Sequence, residues 1–321
     1  MTQHFLLSSK ARSLSLINIL RASDYEIFEQ FKAVRFADNN GEPFCPHCGS
    51  IVCFECPRKN GSKRWRCKGC YKDFTLTSGT LFASHKLHLQ VYLAAIAIFI
   101  NEVKGKAALA LSRDLNVQYK TAFVIAHKIR EAMSTEVSKI ELGGQETEVE
   151  VDGAYFGGYI RPRNLKSERI DRRKIYKPGK RVVVVIRQRG GLARTAVFKS
   201  EQESISFIRE HVAPGTTIHA DEAPGWNALH ASYNVMRINH SEAYSLNGAC
   251  TNQAESFFSR LRRGEVGHHH RVIGPYLDRY AGEMAWRENN RRMPNGDQLN
   301  VLLKLIMNNR KSEIFNRYWH H

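Results

Sequence analysis

The chain has no apolar run long enough to cross a bilayer, which takes about 20 residues; the longest, residues 91–100, reads as a buried helix. Carboxylates are scarce, with 31 Asp and Glu against 48 Lys and Arg. The resulting charge of +17 and pI near 9.7 point to a polyanionic partner. Nucleic acid is the first candidate and an anionic membrane surface the second. The amino-terminal stretch, broken by Lys10 and Arg12, lacks the basic segment of a secretory signal, so a cytoplasmic protein is expected. No Gly-x-x-x-x-Gly-Lys-Ser/Thr stretch occurs, which removes the usual ATP-binding loop. Disulfide-type spacing is missing too: six of the seven cysteines form Cys-x-x-Cys pairs within residues 45–70, which is metal spacing. The seventh, Cys250, reads as an ordinary buried or half-buried thiol.

With 321 residues the chain divides into several segments. Residues 1–40 carry apolar positions at helical intervals, with Ser23 and Asp24 suited to cap a second short helix. In 41–80, Cys45-Pro46-His47-Cys48-Gly49 and Trp65-Arg66-Cys67-Lys68-Gly69-Cys70 have the form of two knuckles closing on one tetrahedral zinc, a zinc ribbon. Cys45, Cys48, Cys67 and Cys70 are the expected ligands, Cys53 and Cys56 are expected as loop thiols, and a strand is expected over 71–76. Zinc there serves to fold a segment too small to fold alone, and the basic residues around it suit phosphates. Residues 81–142 turn helical. A short helix over 106–115, a turn at Asn116-Val117 and a longer helix over 118–133 have the form of a helix-turn-helix, a form that any packed pair of helices shares. If it reads DNA, Gln118, Tyr119, Lys120 and Thr121 open the recognition helix.

From Gly143 onward strands and helices alternate. Strands are expected over 148–155, 181–188, 194–198, 216–221 and 234–238, and helices over 203–212, 251–263 and 276–292, with a short one in the tail 293–321. This is an α/β domain with a mixed sheet, over 143–292. Three carboxylates stand at element ends within it: Asp152 and Asp221 on strands, Glu255 on a helix. Each also has a bland reading. Asp152 shares a polar strand face with Glu148 and Glu150, Asp221 suits a turn or helix cap, and Asn252-x-x-Glu255 fits a capping box. As a set, oxygen-only ligands suit magnesium or manganese, and a pair of such ions about 4 Å apart serves phosphoryl transfer.

The order of ribbon, helix-turn-helix and α/β domain resembles bacterial insertion-sequence transposases of the zinc-ribbon, Merlin-related group. The resemblance is carried by Cys45-Pro46-His47-Cys48-Gly49, Phe74-Thr75-Leu76-Thr77-Ser78-Gly79-Thr80, Val151-Asp152-Gly153-Ala154-Tyr155-Phe156-Gly157-Gly158, His219-Ala220-Asp221, Thr251-Asn252-Gln253-Ala254-Glu255-Ser256 and Tyr280-Ala281-Gly282-Glu283-Met284-Ala285-Trp286-Arg287-Glu288-Asn289. It implies an RNase H-like catalytic domain in which Asp152, Asp221 and Glu255 form an acidic triad holding two Mg2+ (or Mn2+), beside the one structural Zn2+. His240 and Asn252 are implied as partners behind the triad. The implied substrate is double-stranded DNA, namely the element's terminal inverted repeats and a target, cut and joined by a homodimer or larger assembly associated with the nucleoid. Basic residues expected on DNA are Lys120, then Arg161, Arg163, Arg172, Arg173, Lys174 and Lys177 in a run after the first catalytic strand, and Arg260, Arg262 and Arg263 after Glu255. His268, His269 and His270 are read as DNA contacts or solvent-facing residues rather than a second zinc site. Two alternatives stand beside this: a catalytically silent, zinc-dependent DNA-binding regulator, and an RNase H-like nuclease that cuts without joining.

Overall fold

The computed structural model describes residues 5–56, 63–84, 86–157, 165–168, 179–239, 245, 248–269, 272 and 274–315. They form two compact units, one of residues 1–133 with 290–321 and the other of 134–289.

In the first unit the lead-in holds α1 (Leu16–Arg21) and α2 (Asp24–Arg35). Ser23 starts α2 through a capping box: its hydroxyl accepts from the Glu26 amide, and the Glu26 carboxylate accepts from the Ser23 amide at 2.8 Å. A three-stranded antiparallel ribbon follows, β1 (Cys53–Glu55), β2 (Trp65–Cys67) and β3 (Asp73–Phe74). Its third strand is shorter than the expected 71–76. Next comes α3 (Leu89–Asn101), the apolar run, which is buried along most of its length. α4 (Ala108–Asp114) and α5 (Tyr119–Val137) are joined by a turn in which Asn116 takes the left-handed φ of 51°. The carboxyl-terminal stretch belongs to the same unit. Its helix α9 (Asn295–Asn308) buries Leu299, Leu302, Leu303, Ile306 and Met307, an i, i+3, i+4, i+7, i+8 stripe, and packs on α2 and α3.

The second unit opens with the short β4 (Leu142–Gly143), which pairs in parallel with β8 (Val212–Ala213). Its main sheet has β5 (Glu148–Phe156), β6 (Arg181–Gln188), β7 (Ala193–Phe198), β9 (Thr217–Asp221) and β10 (Asn234–Ile238) in the order β10-β9-β5-β6-β7. β5, β6 and β7 run antiparallel in sequence, whereas β9 and β10 lie parallel to β5. An antiparallel three-strand meander extended by two parallel strands on its first strand is the RNase H-like arrangement. The strand period of two splits the side chains between faces. Val149, Val151, Val182, Val184, Ile186, Ile218 and Ala220 meet Ile205 and Ile208 of α6 (Ile205–His211), with Trp226 and Leu229. Each such aliphatic side chain contributes about 1.5–3 kcal/mol by leaving water. Val183 and Val185 face the other way and are equally buried, because that face carries α7 (Asn252–Gly264) and α8 (Leu277–Asn290). Two α8 residues from the late-helix motif anchor it: the Asn289 side chain exchanges hydrogen bonds of 2.7 and 2.9 Å with the Ala193 backbone, and the Trp286 indole donates to Glu136.

Candidate active site

Asp152 lies in the middle of β5 rather than at a strand end as the sequence suggests, because the strand runs on to Phe156, whereas Asp221 ends β9 as expected. The two strands are parallel and paired through Val151 and Ala220, so one step further on the aspartates stand side by side, on strands about 4.8 Å apart. Asp221 is held in place by the Trp226 indole and the Ala223 amide, which donate to its Oδ1 at 2.7 and 3.2 Å. Glu255 arrives from above, in the first turn of α7. Asp152 and Glu255 line an open cleft of about 470 Å³ together with Phe258, Ser259, Arg262 and Arg263. Helix geometry explains that lining. At 3.6 residues per turn, Arg262 falls within about 20° of Glu255 around the axis, whereas Arg260 is turned about 140° away. Arg262 and Arg263 are exposed, and Arg260 instead pairs at 3.0 Å with Glu288, which also binds Arg187 at 3.1 Å.

Burial pushes the Asp152 carboxyl up to about 7; the adjacent Gly153 amide opposes this, and the neighbouring charges of Asp221, Glu255 and Glu201 add to it. Glu201 was not expected from the sequence. It reaches the same end of the sheet, packed so closely on Gly153 and Gly225 that a Cβ on either would meet its side chain at 3.0 and 2.8 Å. Burial and the charge of Asp221 raise its pKa as well, with Lys180 opposing. Like charges gathered in a half-buried place form a donor set of oxygens that suits a hard divalent cation. The three triad residues are the groups that would hold it.

The start of α7 differs from the capping-box reading. Asn252 is its first helical residue and is exposed; Thr251, at the cap position, makes no side-chain cap bond. The Gln253 and Ala254 amides donate instead to the Glu150 carboxylate, at 2.8 and 3.0 Å. Glu150 was expected on a solvated strand face, yet it is 1 % exposed, because α7 lies across that face. Alternation along Glu148-x-Glu150-x-Asp152 was the available signal; what covers the face is not local information.

In the ribbon, Cys45, Cys48, Cys67 and Cys70 bring their sulfurs within 4.8 Å of one another, with Cys45–Cys70 and Cys48–Cys67 each at 3.6 Å. The His47 and Gly69 amides point at the Cys45 and Cys67 sulfurs at 3.4 and 3.2 Å. Amide hydrogens from Cys70 and Gly69 lower the Cys67 thiol, while its hydrogen-bonded neighbour Cys48 is pushed the other way, so the two share one proton between them. This four-thiol set fits a tetrahedral zinc site. Cys53 is not the loop thiol expected: it opens β1, opposite Cys67 across the strand pair, and its thiol donates to the Ser50 carbonyl at 3.5 Å. Lys120 is exposed at the start of α5. Arg161, Arg163, Arg172, Arg173, Lys174, Lys177, His240 and His270 lie outside the described residues.

An antiparallel meander with two parallel additions thus bears acids at adjacent strand positions and on a covering helix. Residues 141–289, within the second unit, match the family of ISXO2-like transposase domains. Among solved structures the chain is similar to the Mos1 strand transfer complex (10 % identity, 65 % of this chain and 78 % of that one, TM-score 0.18). It is similar also to Mos1 transposase in a paired-end complex with the left transposon end (11 %, 65 % and 78 %, TM-score 0.18). At those scores the likeness carries no weight for the geometry. No curated protein matches the chain. Among the described residues, no helix is long and apolar enough to cross a membrane.

Proposed function

We propose that the chain is the transposase of an insertion sequence, which binds the terminal inverted repeats, hydrolyses the phosphodiester at each element end and transfers the freed 3′-hydroxyl into target DNA. The observation that carries this is the side-by-side placement of Asp152 and Asp221 on paired strands, with Asp152 and Glu255 sharing a cleft edged by arginines. A pair of magnesium (or manganese) ions bound there would activate the attacking oxygen and stabilise the departing one, and an in-line displacement allows the same pair to serve cutting and joining. Asp152, Asp221 and Glu255 are their proposed ligands. Arg262, aligned with Glu255 on α7, and Arg263 beside it at the cleft grip the backbone beside the scissile phosphate. Lys120, the basic run Arg161, Arg163, Arg172, Arg173, Lys174 and Lys177, and the zinc-stabilised ribbon extend that grip along the duplex. His240 and Asn252 are proposed to support the triad. Two ends must be cut in concert, so the working form is a homodimer or larger, in the cytoplasm on the nucleoid.

The test is incubation of the purified protein with labelled terminal-repeat DNA and magnesium. Joined products are expected. Nicks without joining would reassign the chain as a nuclease, and binding without cleavage as a regulator.

A further inference from the structure

We propose that Glu150 is a positioning residue for the cutting reaction: from β5 it caps α7 and thereby sets where Glu255 stands relative to Asp152. The proposal rests on the transposase reading for what Glu255 does, and on geometry for the rest. An α-helix leaves its first amides without partners. In α7 two of these, from Gln253 and Ala254, converge on one oxygen, Oε2 of Glu150, at 2.8 and 3.0 Å. The residue in the cap position, Thr251, offers no side-chain cap, so the helix start is tied to the sheet rather than to its own flank. The other oxygen of Glu150 accepts from Arg189 Nε at 3.2 Å, and Arg189 Nη2 in turn reaches the Cys250 carbonyl at 3.3 Å and the Gly248 carbonyl at 3.4 Å. One carboxylate and one guanidinium thus fasten both the helix start and the backbone leading into it.

The spacing makes this tie specific to the site. Glu150 is two residues before Asp152 on the same strand face, and Gln253 and Ala254 immediately precede Glu255. The bond therefore links the two elements within two residues of a triad carboxylate on each side. Any slide or tilt of α7 along β5 would change the Asp152–Glu255 separation. Displacing a reacting group by about 1 Å costs on the order of 10²-fold in rate. A buried carboxylate needs partners to be tolerated, and here they are the two helix amides, Arg189 and the Cys250 thiol at 3.8 Å, with the glutamate reach needed to meet the amides.

That reach gives the test. Glu150→Gln keeps the length and one acceptor oxygen for the two helix amides but loses the charge and the acceptor facing Arg189, whereas Glu150→Asp keeps the charge and shortens the side chain by one methylene. Cleavage of terminal-repeat DNA is measured for both beside the wild-type protein, with DNA affinity, melting temperature and amide hydrogen exchange at Gln253 and Ala254. Glu150→Gln is expected within about fivefold of wild-type kcat. Glu150→Asp is expected to lose about 10–100-fold in kcat with KM and DNA affinity unchanged, and to exchange the two amides faster. The reverse order, with the aspartate variant active and the glutamine variant not, would overturn the proposal in favour of a purely electrostatic role. So would slow exchange of both amides in Glu150→Asp. The exchange readout needs no activity, so a wild-type protein that fails to cut would count against the transposase reading and leave the capping judged by its amides.

Discussion

The ribbon and the sheet-borne cleft both gather side chains of a kind that can ligate metal, and they do so in opposite ways. Four thiols of the ribbon come from two turns, each pair separated by two residues, and lie within 4.8 Å of one another; among the described residues no carboxylate set is that tight. Asp152, Asp221 and Glu255 come from two strands and a helix, and their proximity is enforced by a whole domain: a parallel strand pairing sets two of them, and the Glu150 tie sets the third. A local site of soft ligands is made by its metal and contributes folding energy. A dispersed site of like charges is made by the fold at a cost, visible in the carboxyl of Asp152, pushed up to about 7. The first suits a structural ion and the second an ion that must also meet substrate.

Four outcomes would break or sharpen this contrast. The largest expected effect is on chemistry: Asp221→Asn should lower DNA cleavage by about 10³-fold or more while DNA binding is kept, because a ligand of several kcal/mol to the transition state is lost. A gel assay of cutting and binding side by side checks it, and undiminished cutting removes Asp221 from the site. Next, Cys67→Ser should release zinc and make the ribbon sensitive to protease, since structural zinc contributes about 10–16 kcal/mol to small folds. Cys53→Ser should retain one zinc per chain by atomic absorption, whereas an equal loss in both would make Cys53 a ligand.

A third outcome follows from the raised Asp152. Its folded carboxyl binds a proton up to about pH 7, well above the ordinary value of 3.8. The folded protein therefore holds the extra proton between these values, and the associated stability is full below about pH 4 and lost as pH rises through 7. Without divalent ions, the melting temperature should fall by a few degrees across that window in wild-type protein and less in Asp152→Asn; parallel curves would show that the cluster is not strained. The smallest effect separates two arginines on one helix. Arg262→Ala should reduce the salt slope of DNA binding by about one, whereas Arg260→Ala should leave that slope alone and lower the melting temperature through the loss of a Glu288 partner. A salt slope changed equally by both would contradict the placement of α7.

The same contrast explains what was legible in the sequence. The ribbon's four-thiol cluster is readable because its spacing is its geometry, and the strands over 181–188 and 234–238 appear as the apolar pattern marks them. Hairpin, helix-turn-helix-like pair and carboxyl-terminal helix are likewise local patterns. Asp152, Asp221 and Glu255 each have an ordinary local reading, and only resemblance joins them. Glu150 reads as a solvated strand residue because nothing near it in sequence announces that a helix 100 residues later lies across it. Glu201 carries no pattern at all, and its place depends on two glycines from other elements. Arg260 is indistinguishable from Arg262 until the helix phase and Glu288 are known. Long-range packing, absent from any short window, decides each of these.

The most direct measurement is of Mn2+ bound to the folded protein with terminal-repeat DNA, followed by electron paramagnetic resonance in wild type and in Asp152→Asn. Two bound ions per active site are predicted for the wild type, with at least one lost or greatly weakened in the variant, and zinc content equal in both. Equal manganese binding by the two proteins would contradict the claim that these carboxylates meet around metal.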